Sequence, residues 1–309
     1  MITSLFRKST PLNYSIVIFG VLIFFFIFQI KHVTSDNSWF HLGMKFFLLA
    51  FIFASLFISN FIVKKNGLSK DSAYMVLFYF IFLLFFPSLL DNFYLTISNF
   101  CILLAMRRLF SLQSLKSPKE KIFDASLWVF VASLFHFWSI LFIILVFISI
   151  LFHVARDYRN WFLPFIAFFT IATLFILSAL FFNKSWISIL LSQTRVDYKI
   201  DYFVNNYQNL ALSIYATVGL FFIASLLLTL SNRPLILHST YKKIISAFLI
   251  GVLVFIVSPN KSNDLLLFTF APLAIMATCH IEISQMKWQQ EVVLFLLIIG
   301  GFFSFFLQL

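Results

Sequence analysis

Long apolar runs, separated by short polar connections, follow one another along almost the whole chain. Runs long enough to cross a bilayer as a helix lie at about 14–31, 42–63, 73–90, 92–110, 161–182, 211–230, 242–258, 263–281 and 291–309. Residues 122–155 form a further apolar segment, too long for one upright helix and flanked by basic residues at both ends. We therefore predict a tight helical hairpin there, with its tip near His136, which brings the total to about eleven spans.

This pattern predicts an all-α fold, a polytopic transmembrane helical bundle that forms a single integral membrane domain over residues 1–309. The longest connection, 183–210, is too short to be a soluble domain. Within it, the near-repeat VDYK-IDYF at 196–203 fits a helix with stacked aspartates and tyrosines, whereas Arg195–Tyr202 equally shows the alternation of a strand. We favour an interfacial helix, because Trp186 and the tyrosines suit the headgroup zone.

Composition and charge agree with a membrane protein. Hydrophobic residues make up 62% of the chain and charged residues 11%, with 47 phenylalanines, whereas soluble domains are about one quarter charged. With the N-terminus in the cytoplasm and the first span as an uncleaved anchor, most basic residues fall inside, so the net charge of +11 needs no nucleic-acid partner. The basic residues predicted to lie inside are Arg7, Lys8, Lys64, Lys65, Lys70, Arg107, Arg108, Lys116, Lys119, Lys121, Arg156, Arg159, Arg233, Lys242, Lys243 and Lys287.

One span carries a polar stripe. Asn92, Thr96 and Asn99 are spaced at i, i+4 and i+7, which places them on one face of a helix. A membrane offers no water to satisfy such a stripe, so it should face protein or a water-filled cavity. Substrate contact and plain interhelical hydrogen bonding both fit this pattern.

The chain lacks the glycine-rich nucleotide-binding motifs and the paired-histidine motifs of zinc proteins and membrane di-iron oxygenases. We therefore predict no cofactor. A divalent metal bound by His32, Asp36 and His41 is the alternative.

The candidate site residues collect on the predicted outer face. Asp36 and Asp91 are the candidate catalytic bases, because a carboxylate there can activate an acceptor hydroxyl. Cationic and polar groups on the same face are suited to bind a diphosphate head group. The predicted substrate-binding residues are Asn92, Asn99, His136, Arg195, Lys261 and Asp264. The alternative for each is a solvated or structural role in a polar connection between spans.

The stretches MITSLFRKSTPLNY, KIFDASLW, RDYRNW and SPNKSNDLLLFTFAPLAI together resemble an uncharacterised family of bacterial inner-membrane proteins. More loosely, the layout is similar to that of C-superfamily lipid-linked-sugar glycosyltransferases and O-antigen-polymerase-like proteins. In those enzymes an acid in the first outer loop acts as base or metal ligand, and Asp36 matches that position. The Asp-x-Asp or Glu-Asp doublet usual in them is absent here.

Three functions are consistent with the sequence. The first is transfer or polymerisation of sugars from a polyprenyl-phosphate-linked donor at the outer face. The second is a non-catalytic subunit of an envelope assembly, with a membrane-protein partner. The third is a lipid or solute transporter, which would need ionisable residues deep within spans, whereas the charges of this chain are predicted at span ends.

Overall fold

The computed structural model describes residues 2–32, 39–198, 206–259, 261–283 and 286–309, which form helices joined by turns and short 3-10 segments. This confirms the predicted all-α fold. The α-helices are α1 Ile2–Phe6, α2 Pro11–Lys31, α3 Trp39–Lys65, α4 Tyr74–Phe85, α5 Phe93–Phe110, α6 Pro118–Phe135, α7 Ile143–His153, α8 Arg159–Phe182, α9 Ser185–Ser192, α10 Asn206–Thr229, α11 Leu235–Val257, α12 Leu267–Ile283 and α13 Lys287–Gln308.

The chain is a multi-pass helical membrane protein. Within the described ranges, 8 helices are long and apolar enough to cross a membrane, namely α2, α3, α5, α8, α10, α11, α12 and α13, and Tyr74–Phe85 and Phe137–His153 are shorter apolar helices. These described residues contain no separate soluble domain. The predicted number of spans and the cytoplasmic N-terminus stay predictions.

The predicted pair of helices in 122–155 is confirmed. Helix α6 ends at Phe135, and His136 has an extended backbone with φ −141° and ψ 106°. A 3-10 segment, Phe137–Phe142, then leads into α7. The break therefore falls at the predicted tip, with His136 as its first residue.

The predicted interfacial helix over Arg195–Tyr202 is wrong for the part that the structure describes. The helix of this connection is α9, which contains Trp186, whereas residues 195–198 are irregular, and Asp201 and Tyr202 lie outside the described residues. The backbone of Asp197 is engaged elsewhere, because its amide donates to the Val257 carbonyl at 3.4 Å and its carbonyl accepts from Lys261. A helical turn would break both contacts.

The helices group into two compact units. Unit 1 comprises the described parts of Met1–Thr96, Asp201–Pro234 and Phe270–Leu309. Its centre is α4, in which every residue except Phe80 is buried, as expected for a helix that is apolar on all sides. Helices α2, α3, α10 and α13 pack around it.

Helix α13 completes the surroundings of α4. The Ser304 hydroxyl and the Gln308 amide both donate to the carbonyl of Phe85, at 3.1 Å and 2.9 Å. Carbonyls in the last turn of a helix lack intrahelical partners, so these bonds satisfy a group that would otherwise be buried without one. The end of α4 thus depends on side chains from the last helix of the chain.

Unit 2 comprises the described parts of Ile97–Ile200 and Leu235–Thr269. Helix α6 packs on α8 around Phe130, Ala167 and Ile171. Helix α11 packs on α7 and on the 3-10 segment before it. Gly251 allows α11 to approach the start of α12, because a Cβ at this position would lie 2.7 Å from Thr269 Cγ2.

Ion pairs join the connections at the predicted cytoplasmic end of unit 2. Arg108 pairs with Asp124 at 2.9 Å, and Lys119 with Asp157 at 3.5 Å. The Arg159 amide donates to the Asp157 carboxylate at 3.0 Å. This bond and the charge of Lys119 lower the pKa of the Asp157 carboxyl. Because Asp157 is exposed to solvent, its ion pair adds little stability.

Candidate functional site

Several of the predicted outer-face residues meet in unit 2. We call this group the His136 site and define it as His136–Ser139, Gln193–Asp197, Ser258 and Lys261–Asp264. It joins the break after α6, the irregular stretch after α9 and the turn after α11. These are points where helices end, so backbone groups as well as side chains are available there.

His136 is held in one tautomer by a serine. Its Nε2 lies 3.1 Å from the Ser258 hydroxyl, which itself donates to the Val254 carbonyl at 2.6 Å. Ser258 therefore accepts a hydrogen bond from His136, which assigns the proton to Nε2. The other ring nitrogen, Nδ1, is then a hydrogen-bond acceptor and can act as a base.

The turn after α11 buries a cation, an amide and a carboxylate close together in sequence. Lys261 is 8% exposed, Asn263 5% and Asp264 7%. Charged side chains are almost never buried to this degree without a specific reason. The Lys261 ammonium donates to the carbonyl of Asp197, so the turn holds the irregular stretch after α9.

The irregular stretch is also fixed to the break after α6. The amide of Phe137, the first residue beyond His136, donates to the Gln193 side chain at 3.4 Å. The Trp138 indole donates to the carbonyl of Arg195 at 3.3 Å. The side chain of Arg195 is exposed, so its guanidinium remains at the rim of the site.

Ser139 belongs to the His136 site but was not among the site residues predicted from the sequence. It is fully buried, and its hydroxyl has no hydrogen-bond partner in the part of the chain that the structure describes. A buried hydroxyl without a partner is costly. The signal in the sequence was a serine directly after two aromatic residues, at the break of an apolar hairpin.

The remaining predicted site residues lie elsewhere. Asp91 is exposed at the end of a 3-10 segment in unit 1, and Asp36 lies outside the described residues. Asn92, also in unit 1, caps α5, because its side-chain oxygen accepts from the Leu95 amide at 3.3 Å. Asn99 is 2% exposed on α5, in unit 2, and this burial agrees with the prediction that the stripe faces protein.

Lys243 corrects the sequence analysis. We counted it with the predicted cytoplasmic segments, at the end of a span, but Lys243 is fully buried within α11. Its Nζ donates to the Leu109 carbonyl at 2.8 Å and lies at hydrogen-bond distance, 3.1 Å, from His153 Nε2. Its helical spacing explains this burial, because Lys243 shares the inner face of α11 with Ala247, whereas Lys242 faces outward.

No group of three or more His, Cys, Asp or Glu side chains that could hold a metal occurs among the described residues. The alternative metal set is not tested by this, because Asp36 is not among them. The His136 site contains the ammonium of Lys261, the guanidinium of Arg195, the carboxylate of Asp264 and the imidazole of His136. Such a set can bind a phosphate and accept a proton.

The chain was compared with known proteins. No curated protein and no solved structure matches it significantly. A family model, described as a family of unknown function, matches residues 2–309. This match covers nearly the whole chain, so the protein belongs to the DUF6427 family of unknown function.

Proposed function

We propose that this protein transfers or polymerises sugars from a polyprenyl-phosphate-linked donor, and that the His136 site binds the donor. The observation that carries the proposal is the burial of Lys261 and Asp264 in one turn of unit 2. The same site holds an imidazole with an available acceptor nitrogen. Buried ionisable groups at helix ends in a membrane protein mark functional sites.

In the proposed reaction, Lys261 and Arg195 bind the phosphate of the donor through charge-assisted hydrogen bonds. An acceptor hydroxyl attacks the anomeric carbon, and the bond from that carbon to the phosphate oxygen breaks. The polyprenyl phosphate leaves with the bonding electrons, and a base takes the proton of the hydroxyl. His136 Nδ1 is the base that the described residues of this site favour.

The predicted topology supports an outer-face reaction. Basic residues accumulate on one set of predicted connections, so we predict that the opposite set, including Arg195 and Lys261, lies outside. The proposed transfer or polymerisation would then take place at the outer face of the membrane.

Mass spectrometry of polyprenyl-linked glycolipids tests the proposal. Membranes without the protein should accumulate one defined lipid-linked sugar, and the wild type should remove it. We expect Lys261→Met and His136→Gln to restore less than about one hundredth of this turnover, the scale typical of lost acid–base or charge stabilisation.

Lys184→Met is the matched control, because Lys184 is an exposed lysine on the same predicted face. It should restore full turnover. Equal turnover by Lys184→Met and Lys261→Met, at equal amounts of folded protein, would exclude a role for the buried lysine. A glycolipid profile that does not depend on the protein would refute the proposal.

Transport of a lipid or solute is a second candidate, and Lys243 favours it. A fully buried lysine inside a long apolar helix is the kind of residue that transporters place along proton or substrate routes. Substrate accumulation in proteoliposomes, without any acceptor sugar, would separate transport from transfer.

A further inference from the structure

A second polar pair lies in unit 2, well away from His136 along the same helices. His153 is the last residue of α7, and Lys243 lies in the first half of α11. Ser258, the partner of His136, follows the other end of α11, about 22 Å from Lys243 at 1.5 Å per residue. The pair is therefore distinct from the His136 site.

The Lys243 amine has polar and aromatic neighbours, but none of those described carries a negative charge. Its Nζ donates to the Leu109 carbonyl and lies at hydrogen-bond distance from His153 Nε2. The centroid of the Phe110 ring lies 5.5 Å from Nζ. Within the described ranges no carboxylate lies at ion-pair distance from it. A buried cation normally has such a partner.

The hydrogen bond between the two side chains limits their protonation. An ammonium has no lone pair and can only donate, so Nε2 must be unprotonated while Lys243 is charged. If both groups were charged, two cations would face each other at 3.1 Å, which the buried environment opposes. The pair can therefore hold one excess proton, on the amine or on the ring, but not two.

We propose that Lys243 and His153 form a proton-binding site within the helix bundle, which takes up and releases a single proton. Lys243 is fully buried, whereas His153 is partly exposed, so the imidazole connects the amine to water. On release, the Nζ–H bond breaks as an Nε2–H bond forms, and the Nδ1 proton then passes to water. The products are a neutral amine, a neutral imidazole and a hydrated proton.

Other ionisable groups lie on the surrounding elements, and two of them have partners of their own. Arg108 on α5 pairs with Asp124 on α6, and Lys121 donates to the Ser111 carbonyl at 2.8 Å. On α11, Lys242 is exposed and Tyr241 is buried. The remaining groups on these elements are Arg107, Lys119, Glu120 and His238.

Nitrogen NMR on the full-length protein in nanodiscs tests the proposal, with 15N-labelled lysine and histidine. The Nζ resonance of Lys243 and the ring nitrogens of His153 should change together, with one common midpoint, because strongly coupled groups titrate as a pair. In Lys243→Met the His153 midpoint should move by more than about tenfold in proton affinity. Lys242→Met is the matched control and should leave both resonances unchanged.

If Lys243→Met does not fold, His153→Gln provides a second test, since the glutamine oxygen can still accept a hydrogen bond from the ammonium. The Lys243 midpoint should then move by more than about tenfold in proton affinity. Separate midpoints in the wild type would overturn the proposal, and so would an unchanged Lys243 midpoint in His153→Gln. Neither measurement requires sugar transfer, so its outcome is independent of the proposed function.

Discussion

Two buried serines of unit 2 differ in whether their hydroxyl groups have a partner. Ser98 and Ser139 are both fully buried. Ser98 donates to the Ala132 carbonyl at 3.0 Å, whereas Ser139 has no partner within the described part of the chain. Burial without a bond costs stability, so a hydroxyl of this kind needs a specific reason, and for Ser139 we propose contact with the bound donor.

Alanine at these two positions should therefore have opposite effects. Ser98→Ala loses a hydrogen bond and should lower the free energy of unfolding by about 1 kcal/mol. Ser139→Ala removes an unsatisfied group, so it should leave stability unchanged or raise it by about 1 kcal/mol while it reduces glycolipid turnover. Thermal unfolding in detergent and the glycolipid assay measure the two effects. Unchanged turnover in Ser139→Ala would remove this residue from the site.

At the scale of single residues, the sequence pointed to several members of the candidate site but not to the contacts between them. His136, Lys261 and Asp264 were predicted because polar residues between apolar runs are conspicuous. The burial of Lys243 was not predicted, although the inward spacing that it shares with Ala247 could have revealed it. The contact between His136 and Ser258 joins residues far apart in sequence, and such pairs do not follow from local patterns.

At the scale of elements, close helix packing depends on glycine at a defined point. A Cβ on Gly251 would lie 2.7 Å from Thr269 Cγ2 and 3.3 Å from the Phe268 backbone, whereas one on Gly43 would meet nothing within 4 Å. Both glycines lie inside helices, α11 and α3. Alanine substitutions at the two positions therefore separate the effect of close packing on stability from the effect of helix propensity.

We expect Gly251→Ala to lower the free energy of unfolding by about 1–3 kcal/mol, the range for overpacking. Gly43→Ala should have no effect or raise it by up to about 1 kcal/mol, because alanine is the better helix former. Thermal unfolding of both variants in the same detergent makes the comparison. A loss of stability in Gly43→Ala that equals the loss in Gly251→Ala would show that the close approach is not the cause.

The sequence predicted where helices occur, but it predicted less accurately the residues at which they end. Each predicted apolar segment contains a helix, because spanning length and hydropathy are strong signals. The segment predicted over 73–90 ends as an α-helix at Phe85, since Phe86 precedes Pro87 and adopts an extended φ of −135°. The interfacial helix was misplaced because contacts from Val257 and Lys261 hold the backbone of Asp197, and these depend on tertiary structure.

At the scale of the whole molecule, the predicted topology can be tested with single cysteines. Both native cysteines, Cys101 and Cys279, are buried, so the background labelling should be low. Lys116 and Lys184 are exposed and are predicted on opposite sides of the membrane. In spheroplasts, a membrane-impermeant maleimide should label Lys184→Cys at once and Lys116→Cys only after lysis. The reverse order would invert the topology and place the His136 site in the cytoplasm.

The central helix of unit 1 has a consequence for how the protein is made. Helix α4 has 12 residues, or about 18 Å, which is well short of the hydrocarbon thickness of a bilayer. Its apolar surface is covered in part by α10 and α13, which leave the ribosome long after it. Unit 1 therefore cannot be completed before α13 has been made, and a nascent chain that stops before α13 should be a substrate for membrane quality-control proteases.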